Sequence, residues 1–303
     1  MSQHGESFAG QLYLLGKGIS HSLSPQFHNQ LFDTLGLPWK FQLLDTSVPE
    51  DLIPLMRDPA FVGASVTMPH KVAIMKHVDS FTDAAKLTQA VNHIYVEQDA
   101  QTNRKTIVGT NTDCVGICNA LIAAQPEVIQ VTRGRHGMVI GGGGACRAAV
   151  YALRKMLGCS EIYLVNRDIK ELEQVLRSFE IAGFDARCIC IRTLDQAMTL
   201  EAPAVIISTI PDITPQSDGE ILVRDLTTAF LDKPCKGILL DMCYHPSPQT
   251  QIISLARQHG WTVVSGVEMF LFQAVEACSI WTHVAVDQLP ITDAWSSILS
   301  LVK

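Results

Sequence analysis

Gly137-Met138-Val139-Ile140-Gly141-Gly142-Gly143-Gly144-Ala145-Cys146-Arg147 decides the fold. Four residues with a buried-strand pattern run into four glycines, and an alanine-rich stretch to Met156 predicts a helix. Gly141 and Gly143 let the backbone turn tightly and approach a pyrophosphate. Gly144 and Ala145 open a helix whose first amides are free to meet an anion. The strict GxGxxG pattern fails, because Cys146 stands at its third glycine. A glycine cluster alone is equally a plain tight turn; its place between a strand and a helix favours a dinucleotide turn.

Downstream, Glu161–Val165 reads as the next strand and Lys170–Phe179 as the next helix, with later strands at Ala204–Thr209 and Gly237–Asp241. Asn166-Arg167-Asp168 ends the second strand, where a dinucleotide fold meets the adenosine ribose. An acid there binds the ribose hydroxyls, whereas an arginine accommodates a 2′-phosphate. Asp168 points to NAD; Arg167 and Lys170 keep NADP open. Asp168 is equally placed to cap the helix that follows.

Upstream, short apolar runs alternate with helical stretches. Gln11–Leu15, Trp39–Leu44 and Gly63–Thr67 read as strands, Pro25–Leu35 and Asp51–Met56 as helices. The fold class expected is α/β: an N-terminal parallel α/β domain plus a Rossmann domain. Val115–Val131 reads as a connecting helix. Ser265–Cys278 and Thr292–Leu301 are helical and are expected to return to the first domain. The boundaries follow as 1–114 with 266–303, and 115–265.

The chain has 303 residues, is 47% hydrophobic and 17% charged, and carries a net charge of −7. That suits a soluble enzyme and argues against nucleic acid or an anionic membrane as partner. Nine cysteines without a CxxC pair or metal-ligand spacing read as free thiols in a reducing compartment, so no metal is expected. With no secretory leader and no apolar run of membrane-spanning length, the cytoplasm is the expected location. Oligomeric state is not legible.

Two further segments carry chemistry: Ser65-Val66-Thr67-Met68-Pro69-His70-Lys71 and Gly109-Thr110-Asn111-Thr112-Asp113. A lysine and an aspartate brought together can handle a proton while a hydride leaves for a cofactor. The plain reading of Lys71 is an exposed cation at a helix start. In Ser20-His21-Ser22-Leu23-Ser24-Pro25, Ser22 and Ser24 sit at alternate positions and can face one carboxylate. Ser24 is also placed to cap the helix opening at Pro25.

These blocks, with His28-Asn29, Ala90-Val91-Asn92, Gly141–Arg147, Asp241-Met242-Cys243-Tyr244, and Gly266-Val267-Glu268-Met269 with Gln273, resemble the shikimate/quinate dehydrogenase family over nearly the whole chain. The resemblance implies an N-terminal substrate domain and a Rossmann domain binding NAD or NADP. It implies that Ser22 and Ser24, with Tyr244 nearby, bind a substrate carboxylate. Thr67, Asn92, Asp113 and Gln273 would hold ring hydroxyls, and Lys71 and Asp113 would form the catalytic pair. Quinate with NAD is the leading pairing and shikimate with NADP the runner-up. A related ring such as an aminoshikimate, and a ligand sensor without catalysis, are the rival readings.

The chain departs from the family pattern at several points. His93 stands where the family usually has threonine, either as a surface or packing residue or as an altered substrate or cofactor contact. Asp168 replaces the threonine of the asparagine-arginine-threonine motif seen in NADP-dependent members. Gly18 replaces a common proline, which would loosen the first loop. Gly142 and Cys146 replace alanine and serine in the glycine turn and are expected to preserve it.

Overall fold

Apolar runs and amphipathic stretches alternate along residues 9–302, the part of the chain that the computed structural model describes. In chain order the first elements are β1 (Gly10–Gly16), α1 (Ser24–Thr34), β2 (Trp39–Asp45), α2 (Leu52–Met56), β3 (Phe61–Val66) and β4 (Ser80–Phe81). There follow α3 (Asp83–Thr88), β5 (His93–Gln98), β6 (Lys105–Thr110), α4 (Asp113–Ala124) and α5 (Val128–Thr132). The glycine region comprises β7 (Gly137–Ile140), α6 (Gly144–Tyr151), β8 (Ile162–Val165), α7 (Ile169–Ile181), β9 (Cys188–Cys190) and α8 (Leu194–Thr199). The chain continues through β10 (Val205–Ser208), α9 (Asp218–Leu231), β11 (Ile238–Asp241), α10 (Gln251–Gln258), β12 (Thr262–Val264), α11 (Gly266–Thr282) and α12 (Thr292–Leu301).

These elements form two compact units. The first holds residues up to Thr82, Val91–Thr110 and the chain from Ala274 onward; the second holds Asp83–Ala90 and Asn111–Gln273. Helix α11 therefore starts in the second unit and ends in the first.

The first unit is built on a six-stranded sheet of order β2-β1-β3-β5-β6-β4. The parallel arrangement expected from the βαβ rhythm holds for β2-β1-β3. β5 instead runs antiparallel to both of its neighbours, β3 and β6. A six-residue connection joins β5 to β6, and Asn103 within it adopts a positive φ of 57°. Trp281 of α11 is buried against this sheet and donates its indole N–H to the Ile94 carbonyl at 3.0 Å.

The second unit carries a six-stranded sheet, β12-β11-β10-β7-β8-β9, with every pairing parallel. Read from β9, the order is the doubly wound one, and its direction reverses between β7 and β10. Both faces are covered. Val139, Leu164, Ile207 and Leu240 join one apolar cluster, while Met138, Ile140, Tyr163, Ile206 and Leu239 join another. Alternate residues of each strand thus face opposite layers, which explains why these strands read as continuous apolar runs.

Two helices differ from expectation for local reasons. The segment read as one helix, Val115–Val131, is broken after Ala124. Gln125 is extended (φ −144°, ψ 92°), as a residue preceding a proline tends to be, and α5 restarts at Val128. The helix after the glycine turn ends at Tyr151 and continues as a π-helical turn over Ala152–Met156. No described helix is long and apolar enough to cross a membrane.

All nine cysteines are free thiols: five are buried, three half-buried, and Cys235 is exposed. Burial pushes the Cys146, Cys159 and Cys278 thiols up to about 12, which disfavours the reactive thiolate. A thiol reagent added to native protein is expected to titrate Cys235 rapidly, with the buried thiols released only in denaturant. A fast phase of several thiols would contradict this placement.

Candidate active site

In the first unit, backbone bonds gather the expected substrate residues at the carboxyl ends of β1 and β3. The Thr67 amide donates to the Leu15 carbonyl at 2.8 Å, and the Lys17 amide to the Met68 carbonyl at 3.2 Å. The Val66 amide donates to the Asn92 carbonyl at 2.7 Å, and the Val91 amide to the Lys71 carbonyl at 2.7 Å. Thr67, Lys71 and Asn92 are thereby tied to one end of the central strands of one sheet. Asp45, at the end of β2, accepts the amides of Gly18 and Ile19 at 2.8 and 3.1 Å and fixes the loop that leads to Ser22.

Gly18 does more than loosen that loop. Its φ is +66°, which proline cannot adopt, and its amide makes the bond to Asp45 that proline lacks. Ser24 is not the helix cap. It is the first residue of α1, and the Ser22 hydroxyl accepts its amide at 3.2 Å. Ser24 is itself buried. His93 is fully buried with its ring 4.3 Å from that of Trp281, so the packing reading of this residue is the one realised.

The second unit holds Asp113, Tyr244, Gln273 and the glycine turn; Lys71 and Asp113 thus belong to different units. Asp113 opens α4 and is 5% exposed. Asn111 sets up this start: its amide nitrogen donates to the Ala90 carbonyl at 3.0 Å, and its oxygen accepts the Asp113 amide at 3.2 Å. The Thr112 hydroxyl lies 3.4 Å from the Gln273 side-chain oxygen, which brings Gln273 to the same helix start. Phe270, one turn earlier on α11, packs at 6.0 Å against the ring of Tyr244.

The Tyr244 loop hangs from Asp241, a residue to which sequence reasoning gave no role. Its carboxylate, 1% exposed, accepts the Thr250 hydroxyl at 2.6 Å and the Cys243 amide at 3.2 Å. Burial pushes its pKa up to about 6, against these bonds, which favour the charged form. The buried Ser208 hydroxyl also favours the charged form, although it lies outside bonding geometry.

The glycine turn sits at the carboxyl end of β7, beside the reversal in strand order where open α/β sheets take ligands. Gly141 has φ +125°, and a Cβ there would come within 2.2 Å of the Thr209 hydroxyl. Gly143 differs: a Cβ would meet nothing within 4 Å, and its φ of −91° suits any residue. Neither packing nor backbone demands glycine at 143, so the position leaves room for a closely approaching ligand. Gly144 and Ala145 form the first turn of α6. The residues present therefore fit a dinucleotide pyrophosphate.

At the ribose position, Asp168 caps α7 by accepting the Lys170 amide at 2.8 Å. The Asn166 side chain donates to Glu171 at 2.7 Å and to the Asp168 carbonyl at 2.9 Å. The Arg167 guanidinium is held by Glu220 at 2.5 Å. Among the described residues, no group of three or more His, Cys, Asp or Glu could hold a metal ion.

Known proteins share this sequence and fold. The family described as the shikimate dehydrogenase substrate binding domain matches residues 14–94. The quinate dehydrogenase of Emericella nidulans is 40% identical over 291 residues, covering 90% of this chain and 88% of the relative. A shikimate dehydrogenase crystallised in complex with NADP+ superposes with a TM-score of 0.76 at 26% identity, over 97% of this chain and 96% of that one. The quinate dehydrogenase of Corynebacterium glutamicum, in complex with NAD, matches with a TM-score of 0.76 over 96% and 99% of the two chains; at 20% identity it shows the fold alone. With identity at this level over nearly the full length of the Emericella enzyme, the chain belongs to the shikimate/quinate dehydrogenase family.

Proposed function

We propose that this protein is an NAD-dependent quinate dehydrogenase that oxidises a ring carbinol to the ketone. The observation that carries the dinucleotide part is the unfilled space at Gly143, beside the reversal of a doubly wound sheet. The identity to a quinate dehydrogenase supports the substrate. When bound, the nicotinamide ring supplies the hydride acceptor. Lys71 relays the hydroxyl proton toward solvent, its Nζ passing one proton on as it accepts another, and Asp113 orients both the lysine and the hydroxyl. Ser22 and Ser24, with Tyr244, hold the substrate carboxylate, and Thr67, Asn92 and Gln273 hold the ring hydroxyls. Gly141, Gly143, Gly144 and Ala145 receive the pyrophosphate, with Asn166, Arg167 and Asp168 at the adenosine end. As functional domains, residues 1–114 with 266–303 serve the substrate and residues 115–265 the cofactor, a division that differs from the two compact units in giving 83–90, 111–114 and 266–273 to the first domain, and the protein works in the cytoplasm.

An arginine at this position suits a 2′-phosphate where its guanidinium is free. Shikimate with NADP is therefore the second reading. Purified protein is tested by nicotinamide absorbance, with quinate and shikimate crossed against NAD and NADP. Turnover of quinate with NAD is expected. Turnover confined to shikimate with NADP would reassign the pairing, and binding without turnover in all four mixtures would leave the sensor reading.

A further inference from the structure

Arg167 lies two residues beyond β8, where an adenosine ribose is met, and on its own it would welcome a 2′-phosphate. It is not on its own. Its Nη1 is 2.5 Å from Oε1 of Glu220, a residue 53 positions away in the first turn of α9. That carboxylate is built in. Its second oxygen accepts the amides of Gln216 and Ser217, both at 3.1 Å, and the Ser217 hydroxyl accepts the Glu220 amide at 3.3 Å in a complete capping box. The Ser217 and Gln216 amides, and then Arg167, pull the Glu220 pKa down to about 2. Glu220 is therefore charged at any working pH. Its side chain is 18% exposed while that of Arg167 is 56% exposed, so the carboxylate is the fixed partner and the guanidinium the held one.

We propose that Glu220 is a cofactor-specificity residue, which occupies the Arg167 guanidinium and places a fixed negative charge where a 2′-phosphate would come, so that NAD is selected over NADP. This rests on the dinucleotide-dehydrogenase reading above. A 2′-phosphate has two ways to bind. It can displace Glu220, which breaks the ion pair and leaves a charged carboxylate facing it. It can instead sit beside the intact pair without a free guanidinium. Both are unfavourable, because like charges a few ångströms apart repel and a forked donor already bonded to one oxyanion cannot fully serve a second. A ribose diol carries no charge and meets neither penalty. Asp168 and Glu171 add acidity on the same side, but their oxygens bond the Lys170 amide and Asn166. Of the three carboxylates, only Glu220 is shown holding the arginine.

Glu220→Gln tests this, because glutamine keeps the capping acceptor and removes the charge. Two readouts are compared with wild type: the ratio of kcat/KM for NADP to that for NAD, and the calorimetric affinity for 2′,5′-ADP relative to 5′-AMP. Both ratios are expected to rise by about tenfold at low salt, as for one screened charge contact, and to rise less at high salt. Adding Arg167→Ala should remove the part of the rise that the freed guanidinium supplies and leave the smaller part that comes from the lost negative charge. Glu220→Ala should act in the same direction and serves if the glutamine stays bonded to Arg167. Ratios that stay put in both variants, or a rise that Arg167→Ala leaves undiminished, would overturn the role of Glu220 while wild-type turnover with NAD keeps the dehydrogenase reading intact. A wild type that prefers NADP would overturn this inference directly. A wild type that neither turns over nor binds 5′-AMP would remove the reading beneath it.

Discussion

Lys71→Ala is expected to leave a folded protein whose kcat for quinate oxidation is lower by about 10³, within the 10²–10⁴ span of positioned acid–base groups. The KM for quinate should move far less, because a group that handles the proton is needed most in the transition state. The structure separates this from a folding defect. The Lys71 backbone carbonyl accepts the Val91 amide at 2.7 Å, a bond that survives the substitution. Its side chain is only half-buried, so truncation opens no core cavity. Asp113→Asn should lower kcat comparably while leaving the start of α4 in place, since Asn111 bonds the backbone amide there and not the carboxylate. The two losses should not add, because residues that act as one unit lose their joint effect at the first substitution. Wild-type kcat in Lys71→Ala, or a loss confined to KM, would sink the assignment.

Much of this was legible in the sequence wherever the signal is local. β7 and the start of α6 match the reading to within a residue, because a buried parallel strand writes itself as an unbroken apolar run. β5 and β6 were not read as strands, although His93-Ile94-Tyr95-Val96 and Lys105-Thr106-Ile107-Val108 flank a turn. Ala90-Val91-Asn92 runs straight into the first of these strands, which begins at His93. α9 also went unread, even though Ser217 and Glu220 stand at capping-box spacing ahead of Val223, Leu226 and Phe230. Pro126 marks the break between α4 and α5 in the sequence itself. By contrast, the pairing of Arg167 with Glu220 and the hold of Asp241 on the Tyr244 loop join residues whose side-chain geometry no local pattern encodes. Spacing along the chain proposes candidates for a site; it does not say which carboxylate an arginine will meet.

The largest stability effect is expected from acid, through two histidines that the dehydrogenase chemistry does not use. His28 packs against Phe41 at 4.8 Å and Trp281 at 5.2 Å; His93 packs against Trp281 at 4.3 Å. His28 Nδ1 and both ring nitrogens of His93 are buried without a hydrogen-bond partner. Burial lowers both pKa values to about 3, and each ring's charge would oppose the other's. The folded state thus keeps both rings neutral while the unfolded chain protonates them near 6.5, so stability falls as pH drops below 6.5. Each ring contributes about 1.4 kcal/mol per pH unit in that window, or roughly 4 kcal/mol for the pair between pH 6.5 and 5. Asp241 works in the opposite sense. Its raised value means the folded state takes up a proton first, so stability rises as pH falls through about 6. One carboxyl against two imidazoles loses, and a net fall is expected. Urea unfolding at pH 7.5, 6 and 5 measures it. His93→Thr, which installs the residue usual in the family, should cost stability at every pH through lost packing and yet flatten the fall by about 1.4 kcal/mol per pH unit. An unchanged slope in that variant would mean that His93 is protonated in the folded protein after all.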